Sequence, residues 1–342
     1  MSSVEVIAPK ELTEPLLARW RAIQATDATL DSPFLAPEFT LAVARVRPDV
    51  WIAVVREGRE PAAAFLPFQY DARGDGVPIG YPFSDRGGLI APPGLELRAE
   101  AIAEGCGLRR LHFRAVPAQQ EAFQAHADAL HSSPAVEIAR ARPHLNEGRR
   151  YRKLERDLGP LRFEAAARSH EVLATLLEWR RARAERGGQG DPLRPRWIRD
   201  LLAALIEEGS PGFAAPLSAL YAGDRLVAAQ LGLRSASTWH WWIPSYDREL
   251  AAYSPGLVLL LEMLAHAPRA GVALLDFGTG PEGFKRRFCT ALLPLVRGCV
   301  VPGAGDRRRW RLRRAVRGAV VGSGVERLAR RLTGRQAAPS ED

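Results

Sequence analysis

The chain has 342 residues, a formal net charge of +9, 46% hydrophobic residues and 25% charged residues. These values lie near globular averages, which excludes a disordered or fibrous chain, and the length suits about two domains. Its three cysteines, Cys106, Cys289 and Cys299, have no ligand-like spacing and are too few for a disulfide framework, as expected in a reducing compartment.

The location of the charge matters more than its sum. Residues 306–342 hold 11 arginines against 4 acidic residues, while the remaining 305 residues hold 37 basic against 35 acidic. The body is nearly neutral, so a DNA partner is not expected. Met1 to Trp20 carries Glu5, Lys10, Glu11 and Glu14 and lacks the apolar run of a signal peptide. The most apolar segment, Gly256 to Ala265, is interrupted by Glu262 and has about half the length of a membrane span. The expectation is a soluble cytoplasmic protein.

In chain order, Val4–Ile7 reads as a strand, and Glu14–Ile23 and Pro37–Val46 read as helices. Val50–Arg56 and Ala62–Tyr70 form a hairpin turning at Glu57-Gly58-Arg59, followed by a strand at Val77–Tyr81. A helix at Leu97–Gly105, a strand at Leu108–Val116, a helix at Pro117–Leu130 and a strand at Ala135–Arg142 complete the first half. After Pro143 come a strand at Leu161–Ala166 and helices at His170–Glu185 and Pro195–Glu208. Three strands follow at Phe213–Tyr221, Leu226–Arg234 and Thr238–Pro244. Ser254 can cap a long helix, Pro255–Ala267, with proline at its favoured first position. A strand Val272–Phe277, a short helix Pro281–Phe288 and a strand Leu292–Val301 end the body.

This alternation predicts an α/β class with a mixed sheet. The halves also resemble each other: Gly58 and Ala63-Ala64 match Gly223 and Ala228-Ala229 at an offset near 165 residues. The expected organisation is a duplicated unit, with domains at 1–145 and 146–303 and a basic tail at 304–342. In that tail Trp310, Leu312, Val316, Val320, Leu328 and Leu332 recur among arginines. Such a helix lies on anionic lipid as a peripheral membrane contact, or packs on the body.

Five segments carry a family resemblance together: Trp179-Arg180 with Gly187-Gly188-Gln189-Gly190; Tyr221 to Gly232; Trp242 to Asp247 with Tyr253-Ser254-Pro255-Gly256-Leu257; Asp276-Phe277-Gly278; and Phe284-Lys285-Arg286-Arg287-Phe288. In this order they resemble the GNAT acyltransferases of the CelD-like type, and through them the Fem aminoacyl transferases, which have two tandem GNAT domains. The first half matches weakly, through Ser32-Pro33-Phe34, Ala63 to Pro67 and Ser84-Asp85. The resemblance implies two tandem GNAT-like domains in a Fem-like architecture. It implies acyl transfer from acyl-CoA to an amine or a small-molecule or saccharide acceptor, in cell-envelope or exopolysaccharide metabolism. The other readings are Fem-like aminoacyl transfer from tRNA and a non-catalytic carbohydrate- or lipid-binding scaffold.

An acyl-CoA transferase must hold a pyrophosphate and polarise a thioester carbonyl. A helix N-terminus supplies free amides for the first task, and Tyr253, Ser254, Gly256 and Leu257 would present them; an ordinary capped helix is the plainer reading. The usual GNAT signature is met here at Gly256 alone, with Ala251 and Ser254 at the other key places, which keeps aminoacyl-tRNA and an acyl carrier protein open as donors. Lys285 is one of three lysines, with Lys10 and Lys153. The resemblance implies that it stabilises charge developing in acyl transfer, or binds a substrate phosphate. Asp276 and His240 are the candidate general bases, although a histidine between Trp239 and Trp241 is more often a core residue. Alternation puts His240 and Trp242 on one face and Trp239, Trp241 and Ile243 on the other.

Trp242, Tyr246, Asp247 and Phe284 are candidate substrate-binding residues; Tyr246-Asp247 equally reads as a turn. Arg149 to Arg156 is a basic start to the second half, either an acceptor contact or a solvated helix face. No Walker loop, closely spaced His/Cys metal set or Gly-x-Ser-x-Gly elbow is present.

Overall fold

The computed structural model describes residues 2–58, 62–141, 147–188, 190–207, 209–280 and 283–303. The expected tail helix, the start of the Pro281 helix, Gln189 and the end of the Glu57–Arg59 turn lie outside the described residues. The first half contains β1 (Ser2–Ile7), α1 (Glu14–Gln24), α2 (Pro37–Val46), β2 (Val50–Glu57), β3 (Ala64–Tyr70), β4 (Gly76–Pro78) and α3 (Ala99–Gly105). It continues with β5 (Leu111–Pro117), α4 (Glu121–Gln124) and β6 (Ala127–Glu137). The second half begins with α5 (Glu147–Leu158), β7 (Leu161–Glu164), α6 (His170–Arg186), α7 (Arg196–Glu207), β8 (Gly209–Ser210) and β9 (Phe213–Ala214). It ends with β10 (Leu217–Ala222), β11 (Arg225–Arg234), β12 (Thr238–Tyr246), α8 (Pro255–His266), β13 (Leu274–Asp276), α9 (Gly283–Phe288) and β14 (Ala291–Val300).

The strands form one mixed sheet in the order β1-β2-β3-β4-β5-β14-β6-β13-β12-β11-β10-β7. The halves meet through β6 and β14. β14 lies antiparallel between β5 and β6, and β6 pairs in turn with β13. β12 and β13 are parallel and paired only at Thr238, Trp239 and His240. β13 then ends at Asp276, while β12 runs on beside β11 to Tyr246. The sheet therefore opens on one side of β12 just past His240.

Four apolar clusters cover the sheet, and three of them draw buried residues from both halves. Phe34, Phe39, Val43 and Ile79 from the first half pack with Leu176, Leu202, Leu205 and Leu231 from the second. The opposite face of β12 packs Trp239 and Trp241 against Val258, Leu259 and Met263 of α8.

Four local expectations are corrected. The helix expected at Pro117–Leu130 is only the single turn α4; Ala127 onward is strand. Its Ala, Leu and His residues favour helix locally, but β14 pairs with it from Ala127 to Ala135, and tertiary pairing overrides propensity. The single strand expected at Phe213–Tyr221 is divided into β9 and β10 around Pro216, which has no N–H for a ladder. Leu231 pairs with Ile243, but Leu233 pairs with His240, so β12 carries an extra residue. That bulge moves Ile243 off the Trp239/Trp241 face and into the cluster that Trp242 packs against. Ser254, finally, makes no side-chain cap: it sits at φ 53° and ψ 53°, and its carbonyl accepts the N–H groups of Leu257 and Val258 at 2.9 and 3.2 Å.

Candidate active site

Where β12 and β13 part, the pairing of His240 with Asp276 places two titratable side chains side by side. β6 brings Ser133 next to them, because Ala135 of β6 pairs with Asp276. A segment of the first half following β4 supplies Asp85 and Arg86. This segment is pinned on several sides. Trp242 Nε1 donates to the Phe83 carbonyl at 3.0 Å, the Gly87 N–H donates to the Ala115 carbonyl at 3.3 Å, and the Leu89 N–H donates to Gln120 Oε1 at 2.9 Å.

Asp276 is the hub. One carboxylate oxygen accepts from Ser133 Oγ and, at 2.9 Å, from the Gly278 N–H. The other accepts from Arg86 Nη2 and lies 3.4 Å from His240 Nδ1. The far ring nitrogen of the histidine, Nε2, is 3.0 Å from Asp85 Oδ2. Phe34 closes one side of the imidazole edge-on, with ring centroids 4.9 Å apart. Exposure separates the members: the side chains of His240, Asp276 and Arg86 are 1%, 3% and 5% exposed, whereas Asp85 is 25% exposed. Lys285 on α9 is also buried.

The turn after β13 binds this cluster together. Gly278 (φ 70°) passes so close that a Cβ there would lie 2.7 Å from Asp85 Oδ2 and 3.1 Å from His240 Nε2. A Cβ at Gly280 (φ 153°) would lie 3.2 Å from Lys285 Nζ. Glycine's freedom at positive φ and its missing side chain are thus both used here. One short loop roofs the imidazole–carboxylate pair and the lysine ammonium.

The charges are mutually adjusted. Burial alone would push the Asp276 carboxyl up, but the Arg86 guanidinium and His240 outweigh it and hold it well below the usual carboxylate range. For His240 burial opposes protonation, yet Asp276 and Asp85 on its two nitrogens raise it above its ordinary value. Arg86 Nη1 is buried with no partner among the described residues, so the network has an unused donor.

The other expected site residues fall into two groups. Phe284 packs against the α8 cluster and meets Phe277 edge-on at 5.8 Å, and Trp242 is half-buried between Phe34 and Phe39. Tyr246, Asp247, Tyr253, Ser254, Gly256 and Leu257 gather at the far end of β12, six residues (about 20 Å of strand) beyond His240. There Asp247 accepts from Arg225 Nε at 3.0 Å and from the Glu249 N–H at 3.0 Å, which makes it a turn residue. Tyr253 carries Lys153 over its ring at 4.9 Å, and Tyr246 stands exposed against Gly256. Sequence reasoning named His240, Asp276 and Lys285 but missed the roles of Asp85, Arg86 and Ser133. The one available signal was a charged Asp-Arg pair between an aromatic turn and the apolar run Gly87–Ile90.

Among the described residues no helix is long and apolar enough to cross a membrane. Comparison with curated protein sequences finds no match. The family model described as acetyltransferase (GNAT) domain matches residues 144–286. Among solved structures, FemX aligns at a TM-score of 0.55 with 10% identity, over 86% of this chain and 96% of that one. The C-terminal domain of a lysylphosphatidylglycerol synthetase from Agrobacterium fabrum aligns at 0.52 with 12% identity, over 85% and 92%. A tandem GNAT protein from the clavulanic acid biosynthesis pathway aligns at 0.50 with 14% identity, over 89% and 99%. At such identities these likenesses establish the fold, a mixed α/β architecture shared with tandem GNAT proteins. His240, Asp276 and Lys285 thus lie within the stretch that matches the acetyltransferase (GNAT) domain model, and that match supports an acyltransferase enzyme.

Proposed function

We propose that this protein transfers an acyl group from acyl-CoA to an amine or sugar acceptor, with Lys285 at the reacting centre. The observation that carries the reading is the placement of a buried lysine under the same Gly278–Gly280 loop that covers the hydrogen-bonded Asp–His–Asp cluster, at the point where β13 stops and β12 runs on. In an environment of low polarity, an ammonium aimed at a developing oxyanion stabilises it far more than in water. Coenzyme A separates its pyrophosphate from its thiol by an extended arm. The opened edge of β12 offers such an arm a course from the turn at Ser254–Gly256 to the His240 end. His240 and Asp276 are held on both sides by Asp85, Arg86 and Ser133 and serve to orient what meets the acceptor.

A second reading, aminoacyl transfer from tRNA, draws on the exposed Arg149, Arg150, Arg152, Lys153 and Arg156 of α5, a basic face that suits a polyanion and whose Lys153 lies over the Tyr253 ring. A role in cell-envelope or exopolysaccharide metabolism, with the tail at the inner membrane face, extends the first reading.

The test is thiol release from acetyl-CoA and longer acyl-CoAs, with charged tRNA as the alternative donor, for the wild-type chain and Lys285 variants. Lys285→Ala is expected to lower turnover by about 10²–10³-fold while donor binding survives, by analogy with the loss of one oxyanion donor. Lys285→Arg is expected to fail as well, since a planar fork does not replace a compact ammonium. Full activity in Lys285→Arg would remove the lysine from the reacting centre.

A further inference from the structure

We infer that the strip of sheet where the halves meet, beside the buried cluster, is a phosphate-binding subsite, and that the acceptor therefore carries a phosphate ester. The inference rests on the acyl-transfer reading above and adds to it a binding site and a class of acceptor.

The strip is built on β5, β14 and β6, which are neighbours in the sheet. Alternation along β6 puts His131 on the same face as Ser133, about 7 Å away along the strand, and Ser133 donates to Asp276. His131 pairs with Leu295 of β14, so Arg297, two residues on, shares that face. β5 joins through a bulge. Val296 pairs with Val116 and Gly298 with Phe113, which leaves Arg114 and Ala115 together opposite Arg297. Phe113, Val116 and Val296 all point into one apolar cluster, so the extra residue turns the exposed Arg114 to the other face, towards Arg297. Without it Arg114 would share the face of Val116. Ala115 holds φ 53° to make the bulge, an uncommon conformation for a residue with a Cβ.

The same bulge places a third guanidinium. The Ala115 carbonyl accepts the Gly87 N–H at 3.3 Å, and Gly87 passes so near that a Cβ there would lie 3.1 Å from the Arg114 carbonyl oxygen. Arg86, its neighbour, spends Nη2 on Asp276, while Nη1 is buried with no partner among the described residues. An unmet buried donor is costly and points to a group that meets it. Among the described residues the Arg114 and His131 side chains have no hydrogen bond or ion pair either, and Arg297 has Asp128 at 3.9 Å. The other carboxylates nearby are engaged, Asp276 by Arg86, Ser133 and His240, and Asp85 by His240. His131 registers the result: burial, then the charges of Arg297, Arg114 and Arg86, hold its imidazole below its ordinary value.

Three guanidiniums converging on one strip suit a phosphate monoester, whose three oxygens can each accept a charge-assisted N–H donor. A carboxylate has two oxygens and a single charge, and leaves one guanidinium unmet. Seated there, the phosphate cancels the repulsion that keeps His131 neutral, so binding raises the titration midpoint of that imidazole. The remainder of the ligand then extends past Ser133 to the reacting centre.

The experiment uses the full chain labelled with ¹⁵N-histidine, with the His131 ring signals assigned by their loss in His131→Gln. Ethanolamine and phosphoethanolamine, and glucosamine and glucosamine 6-phosphate, are titrated as matched pairs at constant ionic strength. Each phosphorylated partner should bind about 10-fold or more tightly than its parent, the scale of a hydrogen bond to a charged group, and should raise the His131 midpoint. Arg114→Ala/Arg297→Ala should bring the phosphorylated partner down to the level of its parent, and Arg114→Lys/Arg297→Lys should retain part of the preference. Both arginines are exposed, and thermal melts check that the variants fold. Flotation with phosphatidylcholine vesicles, with and without phosphatidic acid, separates two sources of the same chemistry. Capture by phosphatidic acid that the double alanine variant loses assigns the phosphate to a lipid headgroup, and preference for the soluble esters alone assigns it to a soluble metabolite; both uphold the subsite. Equal binding of the partners, an undiminished preference in the double alanine variant, or an unmoved His131 midpoint would overturn the proposal. A phosphate preference that depends on both arginines, with no thiol released from any acyl-CoA, would uphold the subsite and overturn acyl transfer. Thiol release with no phosphate preference would do the reverse.

Discussion

Arg86 and Asp276 form a buried ion pair across 190 residues of sequence, one from each half of the chain. Neither charge faces water, so each is tolerated only because of the other and of the groups around them. An unpaired buried charge costs far more than the net worth of the pair.

Arg86→Met should therefore destabilise the protein by about 3–5 kcal/mol, the usual cost of orphaning a buried charge. The double variant Arg86→Met/Asp276→Asn should recover most of that loss, because no charge is left unpaired. Urea unfolding of the two variants checks the expectation. A double variant no more stable than the single would mean that the pair is not the source of the cost.

Stability should depend on pH from both members of the His240–Asp276 contact, with opposite signs. His240 is raised above its ordinary 6.5, so its contribution is full below pH 6.5 and is lost as pH rises through the folded value. Asp276 is lowered from 3.8, so its contribution is full above that pH and is lost as pH falls towards the depressed value. Unfolding midpoints should decline on the alkaline side of 6.5, and His240→Gln should flatten that limb and shrink, without abolishing, the acid limb, which Arg86 and Ser133 still support.

Gly278→Ala should strike the site harder than its size suggests. The new methyl at φ 70° would press on Asp85 Oδ2 and His240 Nε2, and both the strain and the displaced pair should cost about 1–3 kcal/mol. Turnover should fall together with a change in the His240 ring shifts. Gly190→Ala, where nothing lies within 4 Å of the added methyl, is the matched control and should be silent in both measurements.

At the other end of β12, Gly256→Val should weaken donor binding by about tenfold, or 1.4 kcal/mol, while the fold survives. The added branch meets Tyr246 at 3.2 Å, and that ring is exposed and able to swing aside, into the path assigned to the donor. Isothermal titration with acetyl-CoA, alongside a thermal melt, separates the two effects.

Much of the second half was legible because its signals are local. Pro255 opens α8, Val172, Leu173, Leu176 and Leu177 recur at helical spacing in α6, and the β10–β11 hairpin turns where Gly223 stands. β6 was misread because its partner β14 lies about 160 residues downstream and nothing near Ala127 announces it. The face of Ile243 was misread because a bulge breaks the alternation that the assignment assumed. His240, Asp276 and Lys285 could be named as separate residues. Their link to Asp85, Arg86 and Ser133 is purely spatial, created when the two halves are laid edge to edge.

The position of β14 has a consequence for biosynthesis. A nascent chain that has emerged as far as Glu137 holds β5 and β6, yet the strand that belongs between them is not translated until residues 291–300. Until then both strands present open edges, the kind that recruit wrong partners. The first half cannot complete its part of the sheet early, as an independent amino-terminal domain would during synthesis. Completion waits for β14, so Asp85 and Arg86 are held in place only once almost the whole described chain has been made.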